Sequence, residues 1–385
     1  MKKKYILCGF CALFIGLGIG RFAYSPLIPS VVRYNWLSLS NANDAAGFLF
    51  WGYFVSLIIS PMLLKKINTV KSLKAGMLLI SISFLATSVI HNPIWFTLWF
   101  FIIGFNTGII FIKTPTFILS FVNDKEKGHV SGIIFTGVGV GIIFSGIVSY
   151  LVVYLDLHIV WILLSIISLL LLIITWNKWP DSEKAPIISE NSHHNKYKTH
   201  NKNIKLSIIS YGLFRFGFLA VAVYFSEFIF KYYSGSPRII VSLSWILFGV
   251  GIITGSFFFG YLSKHIGIKS SLVTALIFGF TATILIGFRP SYLIIYILAF
   301  IAGMGGASPT ALFCGLVSSI SEPEKIYHNW RNVLLGGAIA LSLGATLFNR
   351  LLNYITYSDL FYIAGTALFV SIILTLFLNN KAKLE

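Results

Sequence analysis

The chain has 385 residues, of which 57% are hydrophobic and only 11% charged, and its mean hydropathy is +0.85. A soluble globular domain carries about 25% charged residues, so that class is excluded and a polytopic membrane protein remains. The formal net charge of +17 then reflects membrane topology and attraction to anionic headgroups, and no nucleic-acid partner is expected.

Apolar stretches of about 20 residues recur almost end to end, each long enough to cross a hydrocarbon core of roughly 30 Å as a helix. They do not alternate in polarity, so a β-barrel is not the reading. The first span is predicted over 5–29. Its Lys2-Lys3-Lys4 start imitates a signal peptide, but no small-residue cleavage site follows and the apolar run continues through Pro26 and Pro29. Inside it lies Gly18-Ile19-Gly20-Arg21-Phe22-Ala23-Tyr24. An arginine at the centre of a membrane helix costs about 2.5 kcal/mol or more, which makes Arg21 a functional candidate.

The second span is predicted over 45–64, with Asp44 at its opening and Pro61-Met62-Leu63-Leu64-Lys65-Lys66-Ile67-Asn68 at its close. Spans three and four follow at 74–91 and 94–117, the fourth carrying Asn106 and Lys113. Lys113 is expected to snorkel toward the cytoplasm. Spans five and six are placed at 129–154, with Gly137-Val138-Gly139-Val140-Gly141, and 157–176. A polar stretch then interrupts the pattern over 177–205, read as a flexible cytoplasmic linker. Span seven, 206–230, repeats the first as Gly212-Leu213-Phe214-Arg215-Phe216-Gly217-Phe218 and has Glu227 toward its outer end. The remaining spans are predicted at 241–262, 268–287, 292–314, 330–352 and 357–379.

These elements define an all-α polytopic membrane protein of twelve transmembrane helices in two six-helix, pseudo-symmetric halves. The expected domains are a bundle over 1–176, a linker over 177–205 and a second bundle over 206–385. Phe101-Ile102-Ile103-Gly104 and Phe300-Ile301-Ala302-Gly303 occupy matching places in the two halves, as do the segments that follow spans two and eight. Most lysines fall on one side, which puts both termini in the cytoplasm of a multi-pass plasma (bacterial inner) membrane protein.

Gly260-Tyr261-Leu262-Ser263-Lys264-His265-Ile266-Gly267-Ile268-Lys269 resembles the loop signature G-x-L-[AS]-D-R-x-G-R-[RK] of the major facilitator superfamily, with a degenerate first copy around Lys65 and Lys66. Lys65 and Lys264 stand where that signature has an acidic residue. Gly18-Ile19-Gly20-Arg21-Phe22-Ala23-Tyr24-Ser25-Pro26-Leu27-Ile28-Pro29 is similar to the first-helix signature of the YbfB/YjiJ branch. The resemblance implies parallel repeats, alternating access and a cavity lined by helices one and seven. Lys65, Lys66, Gly260, Lys264 and Gly267 become the conformational-loop candidates.

The resemblance puts Arg21 and Arg215 near that cavity, where a fixed fork of donors suits a carboxylate, phosphate or sulfate. Tyr24, Asn106 and Tyr211 are further substrate-binding candidates and, equally, helix-packing residues. No carboxylate occupies an obvious mid-membrane position, so Glu227 is the coupling candidate, with an interfacial residue solvated at the mouth as its other reading. The glycine repeats read as points of close helix approach. Cys8-Gly9-Phe10-Cys11 reads as packing, and His193, His194 and His200 as part of a solvated linker, so no metal is expected. No Walker loop is present and no cofactor is expected.

The expected function is secondary active transport of a small, anionic organic solute, in a monomer, with the lipid bilayer and a co-transported ion or proton as further partners. Efflux of amphipathic drug-like compounds is the alternative, favoured by the 16% aromatic content. A non-transporting receptor is the alternative of another class. An enzyme is not expected, because no convergent acids, histidines or metal ligands fall within the spans.

Overall fold

The computed structural model describes residues 3–66, 68–90, 92–122, 124–180, 201–233, 237–322 and 325–378. Most of the expected linker, 181–200, lies outside them. Among the described residues all regular structure is helical, and twelve helices are long and apolar enough to cross a membrane. They are α1 (Lys3–Arg33), α2 (Leu39–Lys66), α3 (Thr69–Val89), α4 (Pro93–Leu119), α5 (Asp124–Leu151) and α6 (Leu157–Thr175), then α7 (Lys202–Tyr232), α8 (Pro237–Ile266), α9 (Ile268–Gly287), α10 (Tyr292–Ile320), α11 (Ile326–Leu351) and α12 (Tyr357–Leu376).

Helix ends differ from the apolar runs because polar caps, not hydrophobicity, set them. The Asn68 side chain accepts from the backbone N–H of Val70 and Lys71 and starts α3 at Thr69, several residues before the predicted 74. Asn92 accepts from Ile94 N–H with Pro93 opening α4, and Asp156 accepts from His158 N–H ahead of α6. Thr356 and Asp359 form a capping box at α12. Each cap satisfies an orphan backbone donor where the helix leaves the apolar layer.

By its backbone contacts the chain divides into two compact units, Met1–Pro186 with Val223–Val250, and Ile187–Ala222 with Gly251–Glu385. The division runs through α7 and α8. In the first unit, the C-terminal part of α7 is tied to α1 and α2: Ser25 Oγ donates to the Val223 carbonyl at 2.8 Å and Asn43 Nδ2 to Glu227 Oε2 at 3.3 Å. The N-terminal part of α8 meets α5 where Ser242 Oγ donates to Ser149 Oγ at 3.5 Å. Trp161 is fully buried here, its ring about 6 Å from those of Phe84, Phe96, Phe100 and Tyr24. In the second unit, Tyr211 packs with Phe214, Phe313 and Trp330.

The sequence repeat has a counterpart in packing. A Cβ on Gly52 of α2 would overlap the carbonyl oxygen of Phe101 in α4, and a Cβ on Gly251 of α8 would overlap that of Phe300 in α10. Each unit therefore seats its own α2/α4-type helix pair at the same two positions. Contact this close replaces the hydrophobic driving force that helices lack in lipid.

Candidate functional site

Arg21 is positioned by an irregular helix. Within α1, Phe14–Ile19 forms a π-turn, and Gly20 N–H bonds back to the Ile15 carbonyl. The Gly16 carbonyl within this turn accepts from Thr107 Oγ1 of α4 at 2.8 Å. Gly18 allows α5 to close on the same turn: a Cβ there would lie 2.8 Å from Gly141 Cα. Single π-turns inside α-helices are frequent at functional sites, because they rotate the following residues relative to the rest of the helix.

Directly after that turn, Arg21 is only 8% exposed. Its guanidinium carbon lies 5.1 Å from the ring centroid of Phe50 and 5.4 Å from that of Tyr53, both on α2, and 5.6 Å from that of Phe22. Ring faces stabilise the flat face of a guanidinium by cation–π attraction, about 2 kcal/mol or more where water is excluded. The donors of a guanidinium lie in its own plane, the geometry that meets a planar anion edge-on.

Arg215 in the second unit is likewise 8% exposed, with its guanidinium carbon 5.8 Å from the Tyr211 ring centroid. Gly337 of α11 makes room for it, since a Cβ there would come within 3.0 Å of Arg215 Cγ. Tyr211 is 2% exposed and its hydroxyl donates to Thr310 Oγ1 at 3.5 Å.

Glu227 follows the second π-turn, Ala220–Tyr224 in α7. It is 5% exposed, so the solvated interfacial residue expected as its other reading is replaced by a buried carboxylate. Its neighbour Asn43, 1% exposed, donates from Nδ2, while Asn43 Oδ1 is buried without a hydrogen-bond partner among the described residues. Asn43 was missed in the sequence. Its signal was an amide beside Asp44 at the opening of an apolar span.

The other candidates sit in packing roles. Tyr24 lies with its ring 4.1 Å from that of Phe100 and its hydroxyl donating to the Ala42 carbonyl at 3.0 Å. Asn106 Nδ2 donates to the Ile102 carbonyl of its own helix at 2.8 Å. Lys113 is 3% exposed and its Nζ donates to Ser72 Oγ in the first turn of α3 at 2.6 Å, so its ammonium is held by a hydroxyl instead of by water. Lys65 and Lys66 close α2, and their side chains lie outside the described residues. Gly260 and Lys264 occupy the last turns of α8. Gly267 turns the chain into α9 with φ of +83°, a left-handed conformation that favours glycine, whereas a Cβ on Gly260 would meet open space. Among the described residues no cluster of His, Cys, Asp and Glu is placed to hold a metal ion.

Residues 13–376 match a family model described as the uncharacterised MFS-type transporter YbfB. The chain is also similar to a protein named "Protein TsgA homolog" from Buchnera aphidicola subsp. Baizongia pistaciae (strain Bp). The two are 22% identical over 324 residues, covering 82% of this chain and 80% of the relative.

Proposed function

Because the chain belongs to the YbfB-type family of major facilitator transporters, we propose that the solute it carries is a small organic anion, bound at Arg21. Secondary transport is the activity of the fold. The buried guanidinium of Arg21, faced by Phe50 and Tyr53, is the observation that carries the choice of an anion. A cation kept out of water is stabilised by an anionic ligand in proportion to how little solvent screens the pair. Arg215 is the corresponding buried guanidinium of the second unit, and alternating access exposes the bound solute to one side at a time. Glu227 is assigned the coupling proton, supported by its burial against Asn43.

A stability screen tests the solute class. At 100 times its dissociation constant a ligand that binds only the folded protein stabilises it by about 2.7 kcal/mol. Carboxylates, phosphates or sulfates should raise the melting temperature of the purified protein, and the corresponding esters should not. Equal stabilisation by acid and ester, or stabilisation by apolar amphiphiles instead, would overturn the anion reading in favour of efflux of drug-like compounds. Flux of the stabilising acid into proteoliposomes then separates a transporter from a receptor.

We further place the protein in the bacterial inner membrane with both termini cytoplasmic, on the support of its lysine distribution. Reporter fusions after Lys74 and Lys264 should read cytoplasmic, and fusions near Asn41 and Arg289 external. A cytoplasmic signal near Arg289 would contradict this orientation.

A further inference from the structure

One corner of the first unit gathers lysines from three helices. Lys4 is in the first turn of α1, Lys74 in the second turn of α3, and Lys178 just past the end of α6. Cys8 Sγ, one turn past Lys4, lies 3.9 Å from the carbonyl oxygen of Thr175, which stands one turn before Lys178. That contact brings the Lys4 end of α1 to the Lys178 end of α6, and Lys74 of α3 joins them through Trp176. Among the described residues, no carboxylate forms an ion pair with any of them.

Two indoles frame the same corner. Lys74 Nζ lies 4.6 Å from the Trp176 ring centroid, and Trp176 is 45% exposed. Trp179 is 8% exposed, and its buried indole N–H has no acceptor among the described residues. Like charges at one corner of a bundle repel one another over a screening length of about 8 Å at physiological salt. An anion that joins them relieves that repulsion. Lysine and tryptophan together at the ends of membrane-crossing helices mark headgroup depth, where the nearest abundant anion is a lipid phosphodiester. A zwitterionic headgroup would bring its own ammonium against the lysines.

We infer that this corner of α1, α3 and α6 binds the headgroup of an anionic phospholipid, with Lys4, Lys74 and Lys178 meeting its phosphate and Trp176 and Trp179 at the interface. The site stands apart from the solute-binding reading of Arg21 and does not depend on it.

The test uses the full-length protein in detergent, with retention of phosphatidylglycerol, phosphatidylcholine or inorganic phosphate measured by native mass spectrometry and by thermal stabilisation. The wild type should hold phosphatidylglycerol in preference to phosphatidylcholine and to millimolar phosphate. Each lysine near a charged membrane surface changes affinity about fivefold, so replacing all three with Gln should weaken phosphatidylglycerol binding roughly 100-fold. Lys4→Arg, Lys74→Arg and Lys178→Arg combined should retain binding and guards against a folding defect in the Gln variant. The same charge change in the second unit, Lys202→Gln, Lys205→Gln and Lys264→Gln, should leave binding within about twofold. Equal retention of the two lipids, equal loss in both Gln variants, or full competition by free phosphate would overturn the lipid site.

Discussion

Arg21→Ala is expected to lower the affinity for the transported anion about 150-fold while leaving a folded, membrane-inserted protein. Two charge-assisted hydrogen bonds from a guanidinium fork together contribute roughly 3 kcal/mol, which converts to that factor. Arg21 also has a structural share, because its cation makes ring contacts with Phe50 and Tyr53 at 5.1 and 5.4 Å. Alanine should therefore reduce ligand-free stability by about 2 kcal/mol as well. Arg21→Lys separates the two roles. It keeps a charge over the rings but loses the planar fork, so stability should be largely retained while affinity falls about tenfold. Isothermal titration of the folded variants with the acid found in the screen reads the outcome. Wild-type affinity in a destabilised Arg21→Ala protein would reduce Arg21 to a packing cation and end the anion hypothesis.

Glu227→Gln is expected to abolish accumulation driven by a pH gradient while counterflow exchange continues. Glutamine keeps the shape of the side chain and an oxygen that can accept from Asn43 Nδ2, now at 3.3 Å from Glu227 Oε2, but it cannot take up and release a proton. A transporter that moves one proton with each monovalent anion is electroneutral, and its limiting accumulation is about tenfold for each unit of pH difference. That ratio should collapse to unity in the variant. Solute exchange without net proton movement needs only the binding site and the conformational change, so it should persist. Proteoliposomes loaded across a pH step measure both. Undiminished accumulation in Glu227→Gln would take the coupling away from this carboxylate.

Much of the architecture is legible without coordinates because it is imposed by solvent. An apolar layer requires about 20 apolar residues and internally satisfied backbone groups, and both are local properties of the chain. Twelve spans follow directly. Arg21 and Arg215 stand out for the same reason, since a charge within such a run is costly wherever its partners lie. The glycines also announce close approach, and Gly18 against Gly141 is one such contact. Helix ends were less legible: Asn68 and Thr356 act through hydrogen bonds, which hydropathy does not register.

What surrounds each polar group is decided by tertiary packing. Glu227 meets Asn43 across 184 residues of sequence, and Lys113 meets Ser72 across 41. Nothing in the local sequence of either residue specifies whether it turns to water or to a neighbour. Two of the aromatic rings on Arg21 come from α2, and it follows a π-turn whose Gly16 carbonyl accepts from Thr107 of α4. The division of the chain through α7 and α8 has the same origin. The sequence by itself determined the number of membrane helices, the family signature and the rare embedded charges, because each depends on residue type in a short window. Only the tertiary structure decided burial, partners and the grouping of Lys4, Lys74 and Lys178, because these depend on which helices come together, and that is set by contacts between residues far apart in the chain.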